Sequence, residues 1–208
     1  VIEALSPIYN RSKPEIIFLG KNINPNEYVE VLDYIKDKEI AVNVISKSGT
    51  TLEPSIAFDL VLDLMKKKYD DETLKKRLII TTDAETGTLR KMVNENGYQS
   101  FVVPTIVGGR YSVFTPVGLL PIAVAGIDLE KLLLGVKNAM QKHLINAMHY
   151  AVCRDILYNK GKYIESFTVY DEKLNYIAEW LKQLLAESHG KEGKGILPIS
   201  NINTRDLH

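Results

Sequence analysis

The chain has 208 residues, in which 26 Lys and Arg balance 26 Asp and Glu. That length can bury one good core, or one domain and part of another, and the balanced charge supplies no net field for nucleic acid or an acidic membrane. The single Cys153 excludes an internal disulfide framework and points to a reducing, cytoplasmic setting. The most apolar stretch, 113–134, is interrupted by Pro116, Gly118, Pro121, Gly126, Asp128, Glu130 and Lys131, which are costly in a bilayer. Neither a transmembrane span nor a signal peptide is expected.

In chain order, residues 1–9 carry Ile2 and Leu5 at helical spacing and read as a helix that begins uncapped and is broken by Pro14. Ile16-Ile17-Phe18-Leu19 reads as a short strand ending at Gly20. A helix starts near Asn24 or Pro25, with Tyr28, Val31, Leu32 and Ile35 on one face. The apolar run 40–45 predicts a buried parallel strand, and 55–68, with Ile56, Leu60 and Leu64, a helix. Leu78-Ile79-Ile80 is a third strand, followed by Thr81-Thr82-Asp83 and a helix over 85–95 that stops at Asn96-Gly97. The charged residues Lys66, Lys67, Lys68, Lys75, Lys76 and Arg77 flank the turn before it and read as a solvated rim. Residues 99–103 form a fourth strand, closed by Pro104. Alternating strands and helices predict an α/β fold, a doubly wound parallel sheet with helices on both faces, whose ligands bind beyond the carboxyl ends of the strands.

Gly108-Gly109-Arg110-Tyr111-Ser112 follows the fourth strand. Paired glycines let a backbone approach a ligand closely and the arginine can reach an anion, although by itself this segment reads as a surface loop. Residues 128–158 form one long helix or two. His143 and His149 lie six apart, which does not match a helical zinc pair, and read as packing or surface histidines. Gly161 ends the helix, 164–169 is a new strand, and a helix through Leu174, Ile177, Ala178, Leu181, Leu184 and Leu185 follows. Gly193-Lys194-Gly195 lacks the hydroxyl residue that a nucleotide P-loop requires. The expected organisation is a first domain over 1–127, a helical connection over 128–162 and the start of a second α/β domain over 163–208, represented by one strand and one helix. The sequence therefore reads as an internal fragment.

Between the strand at 40–45 and its helix lies Ser46-Lys47-Ser48-Gly49-Thr50-Thr51-Leu52-Glu53-Pro54. One helix cap needs one hydroxyl. Four hydroxyls, a glycine that lets the chain bend back and the free amides of a helix start instead make a cradle for a phosphate or similar anion.

Taken together these stretches resemble the glucose-6-phosphate isomerase (phosphoglucose isomerase) family, bacterial type, built of sugar-isomerase domains. The segment 45–54 resembles its phosphosugar-binding motif. Gly108-Gly109-Arg110-Tyr111-Ser112 with Val117-Gly118-Leu119-Leu120-Pro121 resembles a second signature. Glu187-Ser188-His189-Gly190-Lys191 and Thr204-Arg205-Asp206-Leu207-His208 resemble a third and a fourth. The resemblance implies interconversion of glucose 6-phosphate and fructose 6-phosphate, a step of glycolysis and gluconeogenesis, in a homodimer with shared active sites. It implies that Ser46, Lys47, Ser48, Thr50 and Thr51 surround the substrate phosphate, with Glu53 and Gly109 bordering the site. It gives Glu187 the role of catalytic base, Arg110 that of enediolate stabiliser and His208 that of ring-opening group donated by the neighbouring subunit. No metal or organic cofactor is implied, and neither nucleic acid nor membrane is a partner.

The chemistry agrees with those roles. Moving a carbonyl between carbons 1 and 2 needs one base that takes a proton and returns it, and a carboxylate such as Glu187 suits this. A fixed guanidinium beside the enediolate stabilises it by about 3 kcal/mol. Ring opening needs a proton donor and acceptor near neutrality, which an imidazole supplies. The family also has a Gly-Gly-Ser phosphate loop with its strand before the position of Val1, and a catalytic lysine near its C-terminus. Their absence from this sequence predicts that the 208-residue chain alone has little or no activity. Two alternatives remain open at this level: a non-catalytic sugar-phosphate-binding regulatory module, and an isomerase of a related phosphosugar.

Overall fold

The computed structural model describes residues 1–9 and 14–207. The first elements in chain order are α1 (Ile2–Leu5), α2 (Pro25–Ile35), β1 (Val42–Ile45), α3 (Leu52–Lys68), α4 (Asp71–Arg77), β2 (Leu78–Thr82), α5 (Thr88–Asn96) and β3 (Gln99–Val102). A short 3-10 helix (Gly109–Phe114) follows, then α6 (Pro116–Val124), α7 (Leu129–Lys142), α8 (Leu144–Asn159), β4 (Ile164–Val169), α9 (Asn175–His189) and β5 (Leu197–Ile202). The chain divides into two compact units, one of Ile16–Leu119 and one of Val1–Glu15 with Leu120–His208.

In the unit Ile16–Leu119, β1, β2 and β3 pair in that order, all parallel, with Val44 opposite Ile80 and Ile80 opposite Ser100. Ala57, Phe58, Val61, Leu62 and Met65 recur at helical spacing on the buried side of α3. Of these, Phe58, Val61, Leu62 and Met65 join Val44 of β1, Leu74 of α4, Leu78 and Ile80 of β2, and Leu89 and Val93 of α5 in one core. Met65, Leu78 and Ile80 are fully enclosed, each worth about 1.5–3 kcal/mol of burial. The opposite face of β2 carries Thr81, also fully buried, whose hydroxyl donates to Asn43 Oδ1 at 2.9 Å. A buried hydroxyl there is tolerated because it is hydrogen-bonded.

The layered α/β class expected from the sequence is the one found, with several local differences. Residues 16–19 form no strand and pair with none among the described residues, and Ile17 and Phe18 are 41% and 57% exposed. An apolar run becomes a strand only when a neighbour takes its backbone hydrogen bonds. Residues 1–9 contribute only the single turn of α1. The lysine-flanked turn contains the helix α4: Asp70 accepts the Thr73 N–H at 2.7 Å, and Lys75, Lys76 and Arg77 sit in the last turn, where the helix dipole favours cations. Helix α3 begins three residues earlier than expected, at Leu52. Helix α5 begins at Thr88 rather than 85, because the Asp83 carboxylate accepts the N–H groups of Glu85 and Thr86 at 2.9 and 3.0 Å and holds them in a turn.

In the other unit, His143 separates α7 from α8. Strands β4 and β5 pair in parallel from Ile164 opposite Leu197 to Val169 opposite Ile202, joined by α9. The sequence pointed to one strand and one helix here, whereas the structure has a complete βαβ unit. Pro198 and Asn201 hide β5 from a pattern reading, since both are depleted in strands. Pairing with β4 overrides that preference.

Candidate functional site

The loop 46–51 leaves the carboxyl end of β1 and enters α3. Its own hydroxyls shape it. Ser46, buried, accepts the Gly49 N–H at 3.1 Å. Ser48 Oγ accepts both the Thr50 N–H at 3.2 Å and the Thr50 hydroxyl at 2.9 Å. A serine that only accepts keeps its own proton available for an anion. Thr51 precedes α3 without a side-chain capping bond, while the Ser55 hydroxyl donates back to the Thr51 carbonyl at 2.7 Å. The 17-residue helix starts here with the amides of Leu52 and Glu53 ahead of Pro54, adding the positive end of its dipole to the loop. A cavity of about 240 Å³ adjoins the loop, lined by Ser46, Gly49, Ser55 and Thr88 over apolar Val44 and Phe58.

The ends of β2 and α5 support this loop from behind. The Thr88 hydroxyl donates to the Gly49 carbonyl at 2.9 Å, and Thr82 Oγ1 donates to the carbonyls of Ser46 and Lys47 at 2.8 and 3.2 Å. The Asp83 N–H reaches the Lys47 carbonyl at 3.3 Å. Gly87 has φ of +100°, and a Cβ there would lie 2.6 Å from the Ser48 carbonyl oxygen, so only glycine allows α5 to approach so closely. The N–H groups of Glu85 and then Thr86, with the Lys47 charge nearby, hold the Asp83 carboxyl below the usual carboxylate range. Buried Arg90 donates from Nε to the Asp83 carbonyl at 2.8 Å.

Lys47 and Arg110 belong to this same unit. The Lys47 ammonium donates to the Thr105 carbonyl at 2.6 Å. Arg110 is half-buried in the 3-10 helix, its guanidinium 4.8 Å from the Tyr111 ring centre. Gly109 is exposed with open space around it, and Glu53 lies half-buried in the first turn of α3.

Glu187 lies in the other unit, exposed in the last turn of α9, where it accepts from the Gln183 side-chain amide at 3.0 Å. Beside it, His189 Nδ1 lies 2.9 Å from the Arg154 guanidinium, so this ring nitrogen is the acceptor. Arg154 also holds both oxygens of Glu165, through Nε at 2.9 and 3.1 Å, and the Tyr150 hydroxyl donates to the same carboxylate. Desolvation of the hydroxyl, then its bond to Glu165, pushes Tyr150 up to about 12. Asp206 accepts from Arg205 and from the Ile202 N–H at 2.8 Å, which lowers its pKa. His208 lies outside the described residues. Among the described residues no group of three or more His, Cys, Asp or Glu is placed to hold a metal ion, and no helix is long and apolar enough to cross a membrane.

Fold and loop define a layered α/β protein with a hydroxyl-lined turn at the carboxyl end of a parallel strand, where such sheets take their ligands. A family model described as phosphoglucose isomerase matches residues 1–202, and the chain belongs to that family. It is 48% identical over 210 residues to the glucose-6-phosphate isomerase of Caldanaerobacter subterraneus subsp. tengcongensis, covering 98% of this chain and 47% of the relative. To that of Shouchella clausii it is 48% identical over 208 residues, covering 97% and 46%. To that of Clostridioides difficile it is 47% identical over 204 residues, covering 95% and 45%. The crystal structure of a hypothetical protein from Thermus thermophilus superposes with a TM-score of 0.78 at 30% identity, over 90% of this chain and 47% of that one. The chain thus spans about half the length of the curated relatives it matches.

Sequence reading did not single out Thr82, Asp83, Gly87 and Thr88 as part of the site. The available signal was their position: Thr81-Thr82-Asp83 ends the strand next to β1, so its turn must lie beside the loop 46–51 in a parallel sheet.

Proposed function

We propose that the protein interconverts glucose 6-phosphate and fructose 6-phosphate, and that this chain supplies the phosphate anchor together with the base and the enediolate-stabilising arginine. The observation that carries this reading is the family match over residues 1–202, which spans the loop 46–51, Arg110 and Glu187. Ser46, Lys47, Ser48, Thr50 and Thr51 surround the phosphate with hydroxyls and backbone amides, bordered by Glu53 and Gly109. Held at its phosphate, the open sugar is positioned for reaction by binding energy remote from carbons 1 and 2. The Glu187 carboxylate takes the carbon-2 proton of glucose 6-phosphate and returns it to carbon 1, while proton movement between the two oxygens shifts the carbonyl. Arg110 stabilises the charge on the enediolate oxygens. His208, contributed by the neighbouring subunit of a homodimer, moves the proton in ring opening. The reaction is an internal redox exchange between adjacent carbons and needs no external electron acceptor. Cytoplasmic hexose phosphates are its substrates.

The test is turnover of fructose 6-phosphate by the full-length polypeptide and its variants. Glu187→Gln is expected to lower kcat by about 10²-fold or more, and Ser48→Ala to weaken substrate binding by about tenfold. Unchanged turnover in Glu187→Gln removes the base, and unchanged affinity in Ser48→Ala removes the anchor.

A further inference from the structure

Lys47 lies within the loop that the proposed function assigns to phosphate, yet its ammonium is directed elsewhere. It donates at 2.6 Å to the carbonyl of Thr105, 58 residues on, in the segment joining β3 to the 3-10 helix that begins at Gly109. Among the described residues this is the one hydrogen bond that residues 104–109 make to a distant part of the chain. Their other bonds are local: Val107 N–H to the Pro104 carbonyl at 3.1 Å, Tyr111 N–H to the Gly108 carbonyl at 3.0 Å and the Ser112 hydroxyl to the Gly109 carbonyl at 2.6 Å. Thr105 is exposed, Ile106 is exposed, and Gly108 and Gly109 follow, so little packing restrains the segment. At its root Lys47 is fixed, because its carbonyl accepts from Thr82 Oγ1 and from the Asp83 N–H.

We infer that the Lys47 side chain is a positioning strut, not a phosphate ligand: it ties the phosphate loop to the segment that carries Arg110, so that filling the loop with phosphate steadies the arginine's approach. The inference rests on the proposed phosphate role of the loop for its ligand dependence, and on the Lys47–Thr105 geometry for the tie itself. A charged donor on an open carbonyl is a strong single restraint for a glycine-rich segment. A loop ordered at one end by an anion transmits that order through such a tie.

Amide hydrogen exchange of the 208-residue chain, with and without inorganic phosphate, tests this on Lys47→Met and on the conservative Lys47→Arg. Without phosphate, Lys47→Met is expected to speed exchange at Val107 and Tyr111 by about tenfold, the factor that loss of one charge-assisted bond produces, and Lys47→Arg to restore it. Phosphate is expected to slow those two amides in the native chain and in Lys47→Arg but not in Lys47→Met. Unchanged exchange in Lys47→Met overturns the strut, and equal phosphate protection in Lys47→Met overturns the coupling. If the native chain takes up no phosphate, the proposed role of the loop fails, while the ligand-free comparison still decides the tie. Protection of the Leu78 and Ile80 amides reports folding. Should Lys47→Met lose it, Lys47→Gln, too short to reach Thr105, replaces it, and unfolding in both overturns a purely local tie.

Discussion

The hydroxyl of Thr88, first residue of α5, donates to the carbonyl of Gly49 at 2.9 Å, so the start of one helix holds the apex of the loop that leads into another. The two residues meet because Gly49 has φ of +73° and no side chain: a Cβ there would lie 2.3 Å from Thr88 Oγ1 and 2.9 Å from the Leu89 nitrogen. Gly49→Ala is expected to cost about 1–3 kcal/mol through backbone strain and the displaced helix start. Thr88→Val is expected to cost about 1 kcal/mol for the lost bond. Because the Leu89 nitrogen is backbone, adding Thr88→Ala to Gly49→Ala does not restore stability. Urea denaturation of the three variants measures this, and Gly49→Ala at native stability would refute the close approach.

Asp83 ties acid stability to the same region. Hydrogen bonds from the Glu85 and Thr86 N–H groups hold its folded pKa below the ordinary carboxylate value. A depressed folded pKa contributes stability that is fully present above the unfolded value, about 4, and lost as pH falls through the folded value. The native chain is therefore expected to exceed Asp83→Asn in stability at neutral pH and to lose that advantage as pH drops below about 4. Denaturation curves across that range decide it; a difference independent of pH would mean that the carboxylate charge plays no part.

In the other unit, Arg154 and Glu165 have side chains only 11% and 17% exposed. Arg154→Met leaves that carboxylate poorly solvated and is expected to cost about 2–4 kcal/mol, most of which Arg154→Met with Glu165→Leu recovers. Tyr150 gives a second reading of the same cluster. Its folded pKa is raised to about 12, so its contribution is fully present below the ordinary phenol value, about 10, and is lost as pH rises through the folded one. Carbon NMR of ring-labelled tyrosine should find one resonance that titrates late and is absent in Tyr150→Phe. Titration of every resonance at the ordinary value would argue against the cluster.

Much of this was legible in the residues themselves. Asn24-Pro25 marks the start of α2, Asn96-Gly97 the end of α5, and the apolar runs 40–45 and 78–80 fall on the strands Val42–Ile45 and Leu78–Thr82, because caps and buried strands depend on side chains close in sequence. The hydroxyl cluster 46–51 was equally visible, since its bonds span two or three residues. Residues 16–19 and β5 were not. The first is as apolar as a strand but has no paired neighbour among the described residues, and the second is a poor strand former that β4 pairs nonetheless. Strand formation is a property of two segments, and no local pattern contains the second.

The sequence by itself determined the α/β class, the position of the hydroxyl loop and the family to which the chain belongs. Only the tertiary structure decided what surrounds that loop: Thr88 on Gly49, Thr82 and Asp83 on Lys47, and the Lys47 ammonium on Thr105. These bonds join residues 35 to 58 positions apart. Parallel strands bring the carboxyl ends of distant segments together, and that proximity exists only once the sheet has formed.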